Sequence, residues 1–161
     1  MTASSLEARG LVTFEVPGEP VPWTVFTRRG PPSPGFLAMQ AWQAEIRKAA
    51  RTYWNGRPEI TGPVRLYFRF DLPWPNRAPN RGGQAAERWE AKHLLMKPDL
   101  TNLVKAAEDA LKREAIKIDG RLVGYEPVIL VDDSQVTQNG GSEKIFNDRP
   151  EGRTRIWIKE L

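Results

Sequence analysis

Cysteine is absent from this chain of 161 residues, and long hydrophobic runs are absent as well. The lack of cysteine excludes disulfide scaffolds, thiolate zinc sites and cysteine nucleophiles, and it favours a reducing compartment. No apolar run approaches the roughly 18 residues of a membrane-spanning helix, and the opening MTASSLEARG lacks the apolar core of a signal peptide. We therefore expect a cytoplasmic protein that does not enter a membrane.

The composition predicts a globular protein. Apolar residues make up 40% and charged residues 27% of the chain, which is too apolar for a disordered protein. The length suits one ordinary domain with its own core. We expect a single domain over residues 1–161, with residues 1–10 as a flexible N-terminus.

The chain is basic, with a formal net charge of +4. Two pairs of arginines stand in segments rich in proline and glycine, namely Arg28 and Arg29 in FTRRGPPSPG and Arg77 and Arg81 in PNRAPNRGG. Loops of this kind can lie along the phosphates of a nucleic acid, so these four residues are candidate DNA contacts. The alternative is that both segments are ordinary solvated loops.

Alternation of apolar and polar residues predicts three strands, at 11–16, 64–72 and 154–159. Asp119-Gly120 lies between alternating residues in IKIDGRLVG, and an Asp-Gly pair in this setting predicts a β-hairpin. The apolar run 128–131 predicts a buried strand. Segment 93–96, which contains the only histidine, predicts a short strand or an extended segment, with His93 as a strand or surface residue.

Apolar residues at helical spacing predict two main helices. The first begins near Leu37 and ends by Gly56, and its apolar stripe includes Trp42 and Tyr53 as core residues. The second covers 101–114. It carries a narrow polar ridge opposite its core face, formed by Thr101, Lys105, Glu108 and Lys112. Because strands and helices are interspersed, we expect an α+β (mixed α/β) fold with a mixed β-sheet packed by two main helices.

Acidic residues stand at the ends of predicted elements. Asp99 precedes the second helix, and Asp132 and Asp133 follow the predicted strand 128–131. Magnesium prefers oxygen ligands, so carboxylates from different segments can hold it, and the amine of Lys105 could stabilise a charged transition state beside them. The alternatives are that Asp99 or Thr101 caps a helix, that Lys105 forms a solvated pair on the helix, and that Asp132 and Asp133 begin a polar turn.

The segment KPDLTNLVKAAEDAL, followed by VDDSQV, resembles the RusA family of Holliday junction resolvases. The family pattern runs Lys-Pro-Asp-x-Asp-Asn-Leu-x-Lys, then Asp-Ala-Leu, then a strand that ends in Asp-Asp-x-Gln-Val. Matching positions are Lys97, Pro98, Asp99, Asn102, Leu103, Lys105, Asp109, Ala110, Leu111, Asp132, Asp133, Gln135 and Val136. The resemblance spans most of the chain and is specific from Lys97 to Val136.

The resemblance implies a small homodimer that uses Mg²⁺, with Mn²⁺ as a substitute, to resolve four-way DNA junctions by paired symmetric incisions in recombination and repair. By position it implies Asp99 and Asp133 as metal ligands and Lys105 as the catalytic lysine. Asp132 and Thr101 are further candidate ligands. A two-fold symmetric junction would be matched by a two-fold dimer, with an exposed strand or the predicted hairpin as its interface.

Thr101 departs from the family pattern, which places a second acid at this position. A hydroxyl in place of a carboxylate removes a negative charge, so metal affinity should fall. Thr101 then ligates weakly or through water, or a neighbour such as Asp132 compensates, or the site no longer turns over. The leading hypothesis is a magnesium-dependent junction endonuclease. The alternatives are a branched-DNA-binding protein with weak or no cleavage, and a basic protein whose partner is another protein.

Overall fold

The computed structural model describes residues 10–25, 29–75, 78–95, 98–147 and 151–161. The strands are β1 (Leu11–Pro17), β2 (Val64–Pro73), β3 (Glu114–Ile118), β4 (Arg121–Glu126), β5 (Val136–Gln138), β6 (Glu143–Asn147) and β7 (Arg153–Glu160). The helices are α1 (Pro34–Trp54), α2 (Gln84–Leu94) and α3 (Leu100–Leu111). The predicted α+β class is confirmed.

The main sheet is mixed, as predicted. Strand β7 pairs antiparallel with β1 on one side and with β2 on the other, and β2 pairs in parallel with β5 and β6. Successive side chains of a strand point to opposite faces, so the alternation in the sequence places one set of residues in the core. Val64, Leu66, Phe68 and Phe70 of β2 are accordingly fully buried.

Helices α1 and α3 pack on the core face of this sheet. Helix α1 begins three residues before the predicted start because the Ser33 hydroxyl accepts a hydrogen bond from the Phe36 amide, and Pro34 suits the first helical turn. Trp42 is buried as predicted, and Tyr53 is half-buried against Phe14 with 5.7 Å between ring centroids.

The expected strand or extended segment at 93–96 is wrong where it is described, because His93 and Leu94 lie in helix α2. Short polar helices give a weak periodic signal, and α2 buries only Ala86 fully. Aromatic contacts with other segments hold it instead: the ring of Trp89 lies 4.8 Å from that of Trp74 and 5.0 Å from that of Phe146. Met96 lies outside the described residues.

The buried strand predicted at 128–131 is also wrong in type. Val128, Ile129 and Leu130 are buried, but Leu130 forms only isolated bridges with Ile60 and Lys112. These bridges arise where α3 ends, because the amides of Ile129 and Leu130 both donate to the Leu111 carbonyl. The contact terminates α3 at Leu111, three residues before the predicted end.

The predicted hairpin forms from β3 and β4. Asp119 and Gly120 have φ of 49° and 76°, and an Asp-Gly turn accommodates this left-handed backbone. At its base Glu114 faces Glu126, and Arg51 of α1 lies 3.1 Å from the first carboxylate and 3.7 Å from the second. None of the helices in the described part of the chain is long and apolar enough to cross a membrane.

Candidate active site

Asp99 stands at the N-terminal end of α3. It is the residue before the helix, and its side chain is exposed and makes no capping hydrogen bond. Its backbone carbonyl accepts hydrogen bonds from the amides of Asn102 and Leu103, which starts the helix without the carboxylate. The carboxylate therefore remains available for a ligand, and the cap alternative for the Asp99 side chain is not the geometry observed.

A cleft of about 570 Å³ opens on one side of Asp99. Its lining includes Asp99, Asn102, Glu19 and Trp23. The Trp23 amide donates to the Asn102 carbonyl at 2.9 Å, so the Pro-rich segment after β1 is fixed against the first turn of α3. The cleft thus combines two carboxylates, an amide side chain and an aromatic ring.

Lys105 contacts Trp23, one of the residues that line this cleft. Its Nζ lies 3.5 Å from the centroid of the Trp23 ring, which is the geometry of a cation–π contact. The alternative pair on the helix is not the contact observed, since Asp109 instead lies 3.5 Å from Lys112. Trp23 therefore links the two residues, since it contacts Lys105 and lines the cleft that contains Asp99.

A second cleft, of about 470 Å³, opens on the other side of Asp99 and is lined also by Glu143 and Lys144. The Lys144 ammonium donates to the Pro98 carbonyl at 2.7 Å. Burial lowers the pKa of Lys144, while the nearby charge of Asp99 acts in the opposite direction. With the positive end of the α3 dipole, Lys144 makes this helix terminus favourable for an anion.

Asp133 lies at the other end of α3. Its Oδ2 is 3.3 Å from Nζ of Lys112, the residue that follows the helix. From there the chain runs back along α3, since Asn139 donates to Glu108 at 3.1 Å and Lys144 reaches Pro98. Asp133 therefore lies beside the C-terminal part of α3, whereas Asp99 lies at its N-terminus.

Asp132 takes part in a tight polar turn. Its Oδ1 accepts a hydrogen bond from the Ser134 amide at 2.9 Å, and this hydrogen bond is the main cause of the lowered pKa of Asp132. The Gln135 carboxamide oxygen accepts from the amides of Val131 and Asp132, and its nitrogen donates to the Ile60 carbonyl. The Asp-Asp-Ser-Gln segment thus anchors the turn to the residues before β2.

Negative charge accumulates near Asp133. Burial raises the pKa of Glu108, and the charges of Asp133 and Asp109 raise it further. Lys112 lies between Asp109 and Asp133 and pairs with both. The C-terminal end of α3 therefore carries a cluster of acidic side chains, and Lys112 neutralises part of their charge.

The described residues contain no group of three or more histidine, aspartate or glutamate side chains placed to hold a metal ion. Magnesium binds its oxygen ligands at about 2.1 Å, so one ion cannot contact Asp99 and Asp133 of the same chain in this arrangement. Thr101 is exposed on the first turn of α3. The ligand roles of Asp99, Thr101, Asp132 and Asp133 stay predictions.

The four candidate DNA contacts divide by position. Arg28 and Arg77 lie outside the described residues, whereas Arg29 is exposed. Arg81 lies over the Trp74 ring at 4.6 Å and donates to the Phe146 carbonyl. The sequence did not single out Trp23, Lys144 or Glu143, because contacts between distant segments leave no periodic signal. The Trp in the Pro-rich GEPVPW segment was the one available clue to Trp23.

The comparison with known families identifies the family of the chain. A family model described as endodeoxyribonuclease RusA matches residues 31–159, which covers α1, α3 and the Asp-Asp turn. No curated protein matches the chain at a significant level. The match to the family model extends over most of the 161 residues. The chain therefore belongs to the RusA family of endodeoxyribonucleases.

Proposed function

We propose that the protein is a structure-specific endodeoxyribonuclease that resolves four-way DNA junctions by paired, symmetric incisions in recombination and repair. Family membership gives the class of reaction, which is hydrolysis of a phosphodiester in DNA. The single observation that carries the proposal is the surface at the N-terminus of α3. There the exposed Asp99 carboxylate lines a cleft, and Trp23 of the same cleft contacts the Lys105 amine.

The residues of this surface have complementary tasks. Lys105 and Lys144 supply positive charge on either side of Asp99, and the N-terminus of α3 adds its dipole. A scissile phosphate held there would have its developing negative charge stabilised in the transition state. Asp99 is the exposed carboxylate that can orient an attacking water and accept its proton.

Magnesium, with manganese as a substitute, is proposed from the family resemblance alone. The carboxylates described in one chain do not fit a single ion that contacts both Asp99 and Asp133, since these lie at opposite ends of α3. The tasks assigned to Asp99 and Lys105 do not depend on how such an ion would be held.

A second candidate function is binding of branched DNA with weak or no cleavage. Thr101 favours it, because a hydroxyl stands where the family pattern has an acid. This candidate predicts tight, salt-sensitive junction binding that is indifferent to magnesium. Cleavage rates therefore separate the two functions, whereas binding alone does not.

We also propose a homodimer. The hairpin supports it, since five of the nine large hydrophobic side chains exposed in the described residues lie on β3 and β4, namely Ile116, Ile118, Leu122, Val123 and Tyr125. The two strands contact each other far more than they contact any other element. A two-stranded hairpin is only marginally stable in water, and a second copy of the chain would cover it.

The experiment that tests the site is cleavage of a labelled four-way junction by Asp99→Asn. We expect cleavage to be lost and junction binding to be kept, because the substitution removes only the charge of an exposed carboxylate. The control is Glu45→Gln, a similar loss of charge at an exposed position of α1. Normal cutting by Asp99→Asn would remove Asp99 from the site.

A further inference from the structure

The open face of the main sheet carries a ladder of aromatic and basic side chains. Strand register places Leu11, Lys159 and Arg65 in one row and Trp157 and Tyr67 in the next. Helices α1 and α3 pack on the opposite face, where the alternate residues of the same strands are buried. The ladder therefore faces away from the core.

The aromatic pair forms one wall of a groove. The rings of Tyr67 and Trp157 lie 4.6 Å apart between centroids and are inclined at 60°. Leu11, Arg65 and Lys159 complete a space of about 270 Å³. Aromatic walls with cations at the rim suit a flat apolar ring that carries a negative charge nearby, and a nucleotide has both.

Arg65 and Lys159, at the rim of the groove, differ from the other basic residues of this face in the partners that they contact. Arg69, Arg153 and Arg155 each pair with a carboxylate. Arg65 donates to the uncharged Gln138 side chain. Neither Arg65 nor Lys159 forms an ion pair with an acid in the described part of the chain. Both cations are thus available for phosphates, which favours a polyanion over an apolar protein segment.

The groove is joined to the candidate active site by one hydrogen bond. The Tyr67 hydroxyl donates to Oε1 of Glu143 at 3.1 Å, and Glu143 lines the cleft that contains Asp99. Gly141 packs on the Tyr67 ring, since a Cβ at this position would lie 3.6 Å from two ring atoms. A DNA strand that passes Tyr67 would therefore lie next to Glu143, which lines the same cleft as Asp99.

We propose that this groove holds an unpaired nucleotide of branched DNA, with its base against Trp157 and Tyr67 and its flanking phosphates on Arg65 and Lys159. The proposal rests on the proposed function, because a base pair that opens at the branch point of a four-way junction would supply the unpaired nucleotide. Unstacked bases at a branch point present the free ring faces that aromatic side chains bind. A fully paired duplex presents none.

The test measures DNA binding in EDTA with chains that carry Asp99→Asn, so that cleavage does not interfere. The probes are a fork with unpaired thymidines and a fully paired duplex of equal length, each labelled for anisotropy. We expect Trp157→Ala to weaken fork binding at least about fivefold, because stacking of a base on an aromatic ring is lost. Trp157→Phe should keep most of the affinity, and duplex binding should hardly change.

Variants that remove a positive charge from the rim of the groove test the proposal independently of the aromatic rings. Lys159→Ala should weaken fork binding and reduce the slope of log affinity against log salt by about one. Its matched control is Lys48→Ala, an exposed lysine on α1, on the opposite face of the sheet. If circular dichroism shows that Trp157→Ala does not fold, Lys159→Ala and Arg65→Ala decide the result.

Two results would overturn the proposal. One is that the Trp157 and Lys159 variants bind the fork as Lys48→Ala does. The other is that Trp157→Ala converts a dimer into a monomer, which would make the groove an interface between two copies. Absence of junction cleavage by the wild type would instead reject the nuclease function and leave the fork-binding result standing, so the two failures are distinguishable.

Discussion

At the scale of the residue, Thr101 is the position where this chain differs most informatively from its family pattern. It lies in the first turn of α3, and that turn contains no acidic residue. A carboxylate there would complement the helix dipole and place a second negative charge close to Asp99. Because Thr101 carries a hydroxyl instead, Asp99 has no second acid beside it in the first turn of the helix.

Restoring the acid gives a prediction for Thr101→Asp. We expect the free energy of unfolding to rise by about 0.3–1 kcal/mol, because an acid in the first turn interacts favourably with the dipole. We also expect junction cleavage to reach half of its maximum at a lower magnesium concentration. Thr101→Asn is the uncharged control. Equal magnesium dependence for both variants would show that position 101 does not affect the metal.

Asp71 provides a second prediction, on stability. It is fully buried on β2, and both Arg153 and Arg69 pair with it. Burial alone would raise the pKa of Asp71, but the hydrogen bonds and charges of the two arginines outweigh it and the pKa is lowered. Removal of the charge by Asp71→Asn leaves the largely buried Arg153 without its main partner, so we expect a cost of about 3–5 kcal/mol.

The pH dependence of that cost follows from the direction of the pKa shift. Since the folded pKa lies below the ordinary value of 3.8, the pair stabilises the fold above that value. The contribution is lost as pH falls through the folded pKa. Urea unfolding at pH 7 and pH 3 should therefore show a smaller difference between wild type and Asp71→Asn at pH 3. Glu15→Gln, at an exposed pair with Arg155, should cost less than about 1 kcal/mol.

At the scale of the element, regular alternation and helical spacing were sufficient to predict β1, β2, β7, α1, α3 and the hairpin. The errors occur where long-range contacts determine the conformation. Segment 128–131 has the composition of a buried strand. Its amides at Ile129 and Leu130 instead donate to the Leu111 carbonyl at the end of α3, so only isolated bridges form. Helix α2 is held by aromatic rings from other segments, which a local pattern cannot reveal.

The candidate site shows the same division. The sequence identified Asp99, Lys105 and Asp133 through a family pattern, and in the structure Asp99 lines a cleft whose Trp23 contacts Lys105. The sequence could not predict that Trp23 lies beneath the Lys105 amine, or that Asp133 lies beside Lys112. Both contacts join segments that are far apart in the chain.

The hairpin carries a prediction at this scale. Charged substitutions at the exposed positions Ile118 and Leu122 should convert a dimer into a monomer, because a lysine at the centre of an apolar contact must lose its hydration. Sedimentation of the Ile118→Lys, Leu122→Lys double variant measures this. Leu37→Lys, an exposed apolar position at the start of α1, is the control. A double variant with unchanged mass would exclude the hairpin as the interface.

At the scale of the whole molecule, the groove and the candidate active site are neighbours linked by one hydrogen bond. The surface they form includes Trp157 and Tyr67 on the open sheet face, Glu143, which accepts from Tyr67, and Asp99. A branched DNA that occupies this surface would place unpaired bases on the aromatic rings and a phosphate at the N-terminus of α3. A dimer would present two such surfaces, as a two-fold symmetric junction requires.

The most direct test of this account is cleavage of a labelled four-way junction by the wild-type protein with magnesium, beside a linear duplex of the same sequence. The account predicts paired nicks at symmetric positions in the junction and an uncut duplex. An uncut junction that is still tightly bound, or a duplex cut as fast as the junction, would contradict it.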